Sequence, residues 1–222
     1  YISSNIGKKI NKNDARGILI SFVEWAKTPW KLQDFPREIE TYDIYKKHLF
    51  GFLNNLKKDV LNETTAKCYR ATETKKFPNL GFDYISKDLK TKYKKVKYIL
   101  TDKRKRGFEM SDKFKLLIET TNSTGFLESL SMNIPVILVT SKDFFTIKNE
   151  YKKYYDSLLK NNLIFFDNIK AANFVNTNLN NIEKWWFDKK RQKSIKFFCK
   201  NMCKQEMSLE KSLDLMSKKI IN

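Results

Sequence analysis

The stretch NSTGFLESLSMNIPVILV, residues 122–139, combines three local patterns in a fixed order. A small polar cluster at 122–125 is followed by a segment with helical apolar spacing that carries one acid, Glu128. After Pro135 comes a wholly apolar run at 136–139. A polar turn, a short helix and a buried strand in this order are typical of a chain that crosses between two parallel strands.

The rest of the chain continues this alternation. Short apolar strands are predicted at 17–23, 65–70, 96–100, 114–119, 136–139 and 163–166. Helical spacing predicts helices at 42–60, 84–93, 144–160, 169–186, 189–204 and 207–221. Strands that alternate with helices predict an α/β fold, with a Rossmann-like parallel sheet flanked by helices. We divide the chain into a linker or domain edge at 1–16, a Rossmann-like domain at 17–204 and a C-terminal helix at 205–222.

The chain is strongly basic, with a formal net charge of +19 over 222 residues. Such a charge suits nucleic acid or an anionic membrane surface. Nearly all the cationic residues are lysines. Arginine is the residue that proteins prefer for reading base edges and for binding a phosphate through two hydrogen bonds. Lysine, asparagine, isoleucine and phenylalanine are also the residues of A/T-rich codons, so genome bias explains the charge equally well. Nucleic acid is therefore an unlikely partner, although a basic nucleic-acid-binding module, with the cluster Lys103–Arg106, stays as the alternative function.

The cysteines and the hydropathy of the sequence indicate the cellular compartment of the protein. The three cysteines and the single His48 fit no zinc spacing, and an odd number of thiols suits a reducing compartment. Cys199 and Cys203 are predicted to pack as small apolar residues. No apolar run is long enough to span a bilayer and no signal peptide is visible, so we expect a cytoplasmic protein. The chain does not begin with Met, which leaves open that it is a fragment.

The polar turn has a chemical use as well as a structural one. It falls where a strand, FKLLIE at 114–119, ends and a helix starts, and ligands of open α/β sheets bind at that edge. The helix start offers unpaired N–H groups to a phosphate, and Ser123 and Thr124 can cap the helix or bind the same phosphate. Gly125 permits close approach, and Glu128 is within reach of a ribose diol. An ordinary capped helix remains the alternative.

The segment from 112 to 186 carries a resemblance to a known superfamily. The order strand, small polar turn, Glu128 followed by a small residue and a Leu, then Asn133-Ile-Pro-Val-Ile, resembles the donor-nucleotide motif of the GT-B glycosyltransferases. The segment that follows has an acidic and aromatic helix containing NEYKKYYDSLL, then LIFFD, then a helix that ends in Trp-Trp. It resembles transferases encoded with bacterial surface-polysaccharide genes. Residues 17–70 match weakly, by strand order and by the end of the predicted strand at Arg70.

The resemblance implies a fold, a reaction and a set of partners. It implies one GT-B-type half-domain with extra C-terminal helices, the donor-binding C-terminal half of a longer or reduced enzyme, with an N-terminal domain missing. The implied partners are a nucleotide-sugar donor and a carbohydrate or lipid-linked acceptor. Because such acceptors lie at anionic bilayers, a peripheral position at the inner face of the membrane is compatible. A GT-B-fold sugar-nucleotide epimerase is the other alternative.

The resemblance also assigns residues. No catalytic base is matched, no DxD triplet is present, and the implied scheme needs neither metal nor cofactor. His48, on an amphipathic helix and away from any predicted strand end, is interpreted as structural, as are Trp25, Trp30 and the Trp185-Trp186 pair. The residues assigned to donor binding are Thr121, Asn122, Ser123, Thr124, Gly125, Glu128 and Arg70.

Overall fold

The computed structural model describes residues 15–23, 39–69, 84–100 and 107–203. Strands and helices alternate through these segments. The strands are β1 (Ile18–Val23), β2 (Thr64–Tyr69), β3 (Lys97–Leu100), β4 (Leu116–Glu119), β5 (Val136–Val139) and β6 (Ile164–Phe165). The helices are α1 (Ile39–Asn54), α2 (Lys58–Asn62), α3 (Tyr84–Lys92), α4 (Thr124–Ser131), α5 (Asn149–Lys160), α6 (Asn168–Asn178), α7 (Ile182–Trp186) and α8 (Lys189–Met202). Short 3-10 turns lie at Gly107–Lys113, Lys142–Phe144 and Leu179–Asn181.

The six strands form one sheet in the order β3-β2-β1-β4-β5-β6, and every pairing is parallel. This is the doubly wound order, in which the chain reverses its direction of travel across the sheet between β1 and β4. The predicted α/β fold with a Rossmann-like parallel sheet is confirmed. In such sheets ligands bind beyond the carboxyl ends of the strands at this reversal point.

Helices cover both faces of the sheet, which is why the strands are apolar without alternation. All four residues of β4 and all four of β5 are buried. One face of β1, with Ile18 and Ile20, packs in a core with α1, α3 and α6. On the opposite face of the sheet, Leu19 of β1 and Leu117 of β4 pack in a second core with α4, α5 and α8. Cys199 and Cys203 are buried in this second core, as predicted.

The helix predicted at 42–60 is wrong as a continuous element. The structure has two helices, α1 and α2, with a break at 55–57. The break is held by Asn176 of α6, whose side chain accepts from the N–H of Lys57 at 2.8 Å and donates to the carbonyl of Asn55 at 2.8 Å. Because these bonds come from a distant part of the chain, local apolar spacing could not reveal them.

The last helices close the second face of the sheet. Trp186 is fully buried and lies among residues of α4, α5 and α8, as predicted for the Trp-Trp pair. In the described ranges, no helix is both long and apolar enough to cross a membrane. The predicted edge segment at 1–16, apart from its last two residues, and the predicted helix at 205–222 lie outside the described residues, so the domain boundaries stay predictions.

Candidate functional site

The turn after β4 leads into a helix whose start is left open. The carbonyl of Thr121 accepts from the N–H of Ser123 at 2.8 Å, which tightens the turn. Ser123 occupies the N-cap position in an extended conformation, and its side chain makes no capping hydrogen bond. No acid stands in the first turn of α4. The positive end of the helix dipole is therefore uncompensated from within the helix, which favours an anion there.

A buried carboxylate lies directly beneath this open helix start. Glu119 ends β4 and is 5% exposed. A Cβ added to Gly125 would lie 3.3 Å from both carboxylate oxygens of Glu119, so the glycine is what lets the first turn of α4 sit so close. Burial raises the pKa of the Glu119 carboxyl to about 7, while the hydrogen bond from Ser21 and the charge of Lys67 act in the opposite direction.

Glu119 belongs to a polar row that crosses three strands. In the sheet register Ser21 of β1 stands opposite Lys67 of β2 on one side and opposite Glu119 of β4 on the other. All three side chains therefore project from the same face of the sheet. Burial lowers the pKa of the Lys67 ammonium, and the charges of Glu119 and Glu109 raise it. The row places one buried cation and one titratable acid across the reversal point of the sheet.

A chain of hydrogen bonds fixes the ends of β1 and β4 relative to α1. Thr120 donates its hydroxyl to the carbonyl of Ser21 at 2.8 Å. Its oxygen must then accept from the hydroxyl of Tyr45 at 2.6 Å, and Tyr45 in turn accepts from the N–H of Val23 at 3.0 Å. Tyr45 is 2% exposed. Each of these three hydrogen bonds has one donor and one acceptor that cannot be exchanged, so the edge of the sheet that carries the turn is rigidly held.

Tyr45→Phe is expected to lower the free energy of unfolding by about 2 kcal/mol, because it leaves the N–H of Val23 buried without its acceptor. Urea unfolding of wild type and variant measures the loss. Thr120→Val should lose a similar amount, whereas Thr120→Ser, which keeps the hydroxyl, should lose much less. Unfolding of Tyr45→Phe at the wild-type urea concentration would contradict this account of the edge.

The structure gathers the predicted donor residues, with one exception, at the carboxyl edge of β4. Asn122 and Thr124 are exposed, and the amide of Asn122 donates to the hydroxyl of Tyr155 on α5 at 3.2 Å. Glu128 lies one turn into α4, half-buried, and its charge contributes to the raised pKa of Glu119. The exception is Arg70, which follows the end of β2 but lies outside the described residues. The segments with Trp25, Trp30 and Lys103–Arg106 also lie outside them.

His48 stands nearer to the strand ends than its sequence context predicted. Its Nε2 lies 3.1 Å from the carbonyl oxygen of Phe166, the residue that follows β6. Since a carbonyl oxygen only accepts, Nε2 carries the hydrogen and Nδ1 is the free acceptor. Burial lowers the pKa of His48, against the effects of the Phe166 bond and of the charges of Asp167 and Asp143. The placement away from any strand end was wrong, because the sequence does not show that α1 packs against α6, the helix that follows β6.

A comparison with protein families identifies the chain. The model of the LIC12162 family of transferases matches residues 2–219. The chain belongs to the LIC12162 family of transferases. No curated protein matches the chain. The family match makes this protein a transferase, and it covers the open helix start of α4, Glu119 and Glu128 together.

In this LIC12162 family transferase, the polar row was not found from sequence. The signal was present in two places. Glu119 ends an otherwise apolar strand, and Lys67 interrupts another between Ala66 and Cys68. Only the strand order brings the two side chains to either side of Ser21. Across the described segments, no three His, Cys, Asp or Glu side chains lie close enough to hold a metal ion.

Proposed function

We propose that this transferase moves a sugar from a nucleotide-sugar donor, and that the donor binds at the start of α4. The observation that carries the proposal is the uncapped helix start at the carboxyl edge of β4, beside the reversal point of the sheet. Unpaired N–H groups and the positive helix end suit the diphosphate or monophosphate of the donor. Ser123, Thr124 and Gly125 contact that phosphate, Thr121 supports the turn, and Arg70 adds a cation.

Glu128 holds the ribose in this proposal. It stands one turn beyond the start of α4 and is half-buried, and this spacing supports a contact between its carboxylate and the diol that follows the phosphate. A carboxylate that accepts from two hydroxyls is a common way to bind ribose. The spacing from Glu128 to Pro135 supports the same assignment, since it matches the donor motif of GT-B glycosyltransferases.

The reaction breaks the bond between the anomeric carbon and the donor phosphate oxygen as an acceptor hydroxyl attacks that carbon. Negative charge then develops on the departing phosphate, and the helix start and neighbouring cations stabilise it. This scheme uses neither a metal nor a cofactor. The acceptor is a carbohydrate or a lipid-linked carbohydrate of the bacterial surface. If the enzyme inverts the anomeric centre, the GT-B resemblance implies that the base removing the proton from the acceptor comes from a facing N-terminal domain.

Calorimetric titration with UDP, CDP, GDP, CMP and their sugars tests the donor site. We expect saturable binding that selects one base, and at least a thirtyfold loss of affinity in Glu128→Ala, equivalent to about 2 kcal/mol for two hydrogen bonds to a charged group. Glu63→Ala is the matched control, because Glu63 is exposed and precedes β2 at the opposite edge of the sheet. It should bind the nucleotide as the wild type does.

Equal nucleotide affinity in Glu128→Ala and wild type would reject the ribose assignment. Product analysis with and without an acceptor separates the transferase from the epimerase alternative, since an epimerase converts the donor without an acceptor. A steep salt dependence of RNA binding, with no nucleotide-sugar binding, would favour the nucleic-acid module instead. Membership of a transferase family favours group transfer over both alternatives.

A further inference from the structure

An exposed aromatic cluster lies on the outer surface of the α5–α8 pair. Tyr151 is 40% exposed and Phe197 is 43% exposed, which is unusual for large aromatic side chains in this structure. Tyr154 joins them, because its ring centroid lies 5.1 Å from that of Phe197. Tyr151 and Phe197 do not belong to the core, whose buried aromatic members on the same helices are Tyr155 and Phe198, whereas Tyr154 packs partly against it. The cluster therefore offers apolar area to something outside the protein.

Lysines surround this aromatic cluster. Phe197 of α8 is preceded by Lys193 and Lys190 and followed by Lys200, at intervals of about one helical turn. The four side chains therefore form one exposed stripe along α8. Helix α8 contains no Asp or Glu. On α5, the ammonium of Lys153 lies 5.0 Å from the ring centroid of Tyr154. We call the surface formed by Tyr151, Tyr154, Phe197, Lys190, Lys193 and Lys200 the lysine–aromatic face.

One end of the lysine–aromatic face lies at the same end of the molecule as the open helix start. Helix α5 follows β5, so it begins near the carboxyl edge of the sheet. Helix α8 runs antiparallel to α5, since Ser194 contacts Ser157 while the later Phe197 contacts the earlier Tyr154. Tyr151 and Lys200 are consequently nearest to the carboxyl edge.

The contact between Asn122 and Tyr155 fixes the distance between the two surfaces. The amide of Asn122, in the turn before α4, donates to the hydroxyl of Tyr155 at 3.2 Å. Tyr155 lies one helical turn from Tyr151 on α5 and is adjacent to Tyr154. A surface bound to the lysine–aromatic face would therefore lie beside the opening of the candidate donor site.

We propose that the lysine–aromatic face docks the protein on a bilayer that contains anionic phospholipids. Lysines in a row are attracted to an anionic surface at about 1 kcal/mol each, and exposed aromatic rings partition into the headgroup region between them. Nucleic acid is bound better by arginine, whose guanidinium makes paired hydrogen bonds to a phosphate. Arg191 of α8 does not offer this contact, because it is buried and donates to the carbonyls of Trp185 and Asn161. Of the acids of α5, Glu150 forms a hydrogen bond with Tyr151 at the edge of the face, whereas the stripe on α8 itself carries only cations among its charged groups.

Co-sedimentation of the full chain with phosphatidylcholine vesicles, with and without phosphatidylglycerol, tests the proposal. We expect binding only to vesicles with phosphatidylglycerol, falling as salt rises. The double variant Lys193→Gln/Lys200→Gln should bind about twenty-five-fold more weakly, at about fivefold per lysine. Phe197→Ala should bind at least about tenfold more weakly, because it removes an aromatic ring from the headgroup region. Circular dichroism checks that each variant is folded.

Lys57→Gln/Lys58→Gln is the matched control, with the same change of charge on exposed lysines beside α2 at the amino edge. It should bind vesicles within about twofold of the wild type. Equal losses in the control and in the α8 variant would overturn the proposed face, as would binding that ignores phosphatidylglycerol. Two results together would assign the face to nucleic acid instead. RNA would displace the protein from vesicles, and the α8 variant would lose as much affinity for RNA as it loses for vesicles. Nucleotide titration is a separate measurement, so the donor proposal stands or falls independently.

Discussion

Trp186→Ala is expected to lower the free energy of unfolding by about 4 kcal/mol. Trp186 is fully buried between the sheet, α4 and α8, so its removal leaves a large cavity. Its indole N–H also donates to the carbonyl of Asn133 at 3.1 Å and to the side-chain oxygen of Asn133 at 3.0 Å. Asn133 has a positive φ of 55° and turns the chain from α4 into β5. Urea unfolding, followed by circular dichroism, measures the loss.

Two further variants separate the causes of the Trp186 effect. Trp186→Phe keeps a ring but loses the N–H, so about 2 kcal/mol of the loss should remain, because the carbonyl of Asn133 loses this donor while its side-chain oxygen keeps the bond from Gln192 at 3.1 Å. Trp185→Ala, the same change at the neighbouring tryptophan, is the matched control. Trp185 is half-buried, stacks on the guanidinium of Arg191 at 4.0 Å, and its N–H finds no acceptor in the described part of the chain. A loss in Trp185→Ala as large as that in Trp186→Ala would contradict the account.

The second large effect concerns pH. Between about pH 4.5 and pH 7 the folded protein holds a proton on Glu119 that the unfolded chain has released, because the pKa is raised from 4.5 to about 7 by burial. The state that binds more protons is favoured at low pH, so this group makes the protein less stable as pH rises through that window. The loss amounts to about 3 kcal/mol by pH 8 and then levels off.

Glu119→Gln is expected to remove this contribution, because glutamine resembles the protonated acid and does not titrate. Urea unfolding at several pH values from 5 to 8 should show the variant gaining stability relative to wild type as pH rises, by about 3 kcal/mol at most. The charge of Lys67 and the hydrogen bond from Ser21 limit the gain. Glu63→Gln, at an exposed position, should follow the wild-type curve. A curve for Glu119→Gln parallel to that of the wild type would contradict the assignment.

The order of strands and helices followed from local pattern. The run VILV is apolar throughout and LLIE is apolar up to its last residue, Glu119, as expected of strands buried on both faces. The polar turn between them begins a helix because Ser and Thr suit helix starts and Glu128 follows the apolar spacing of α4. The turn could thus be placed at the carboxyl edge of a parallel strand from the sequence alone. The role of its residues in donor binding stays a prediction.

Local pattern failed where one part of the chain acts on another. The break between α1 and α2 depends on Asn176 of α6, and the position of His48 depends on the packing of α1 against α6, the helix that follows β6. Neither contact leaves a trace in the spacing of apolar residues around it. The Tyr45–Thr120 bond likewise joins α1 to the end of β4 across a long stretch of chain.

The sequence by itself determined an α/β chain with a polar turn at a helix start and an acid one turn beyond it, because propensity and apolar period are local properties. The tertiary structure alone decided that this helix start is uncapped, that β1 lies between β2 and β4, and that Lys67, Ser21 and Glu119 therefore form one row beneath it. Strand order depends on which apolar faces pack together over the whole domain, and this choice is made by the folded chain and not by any one segment.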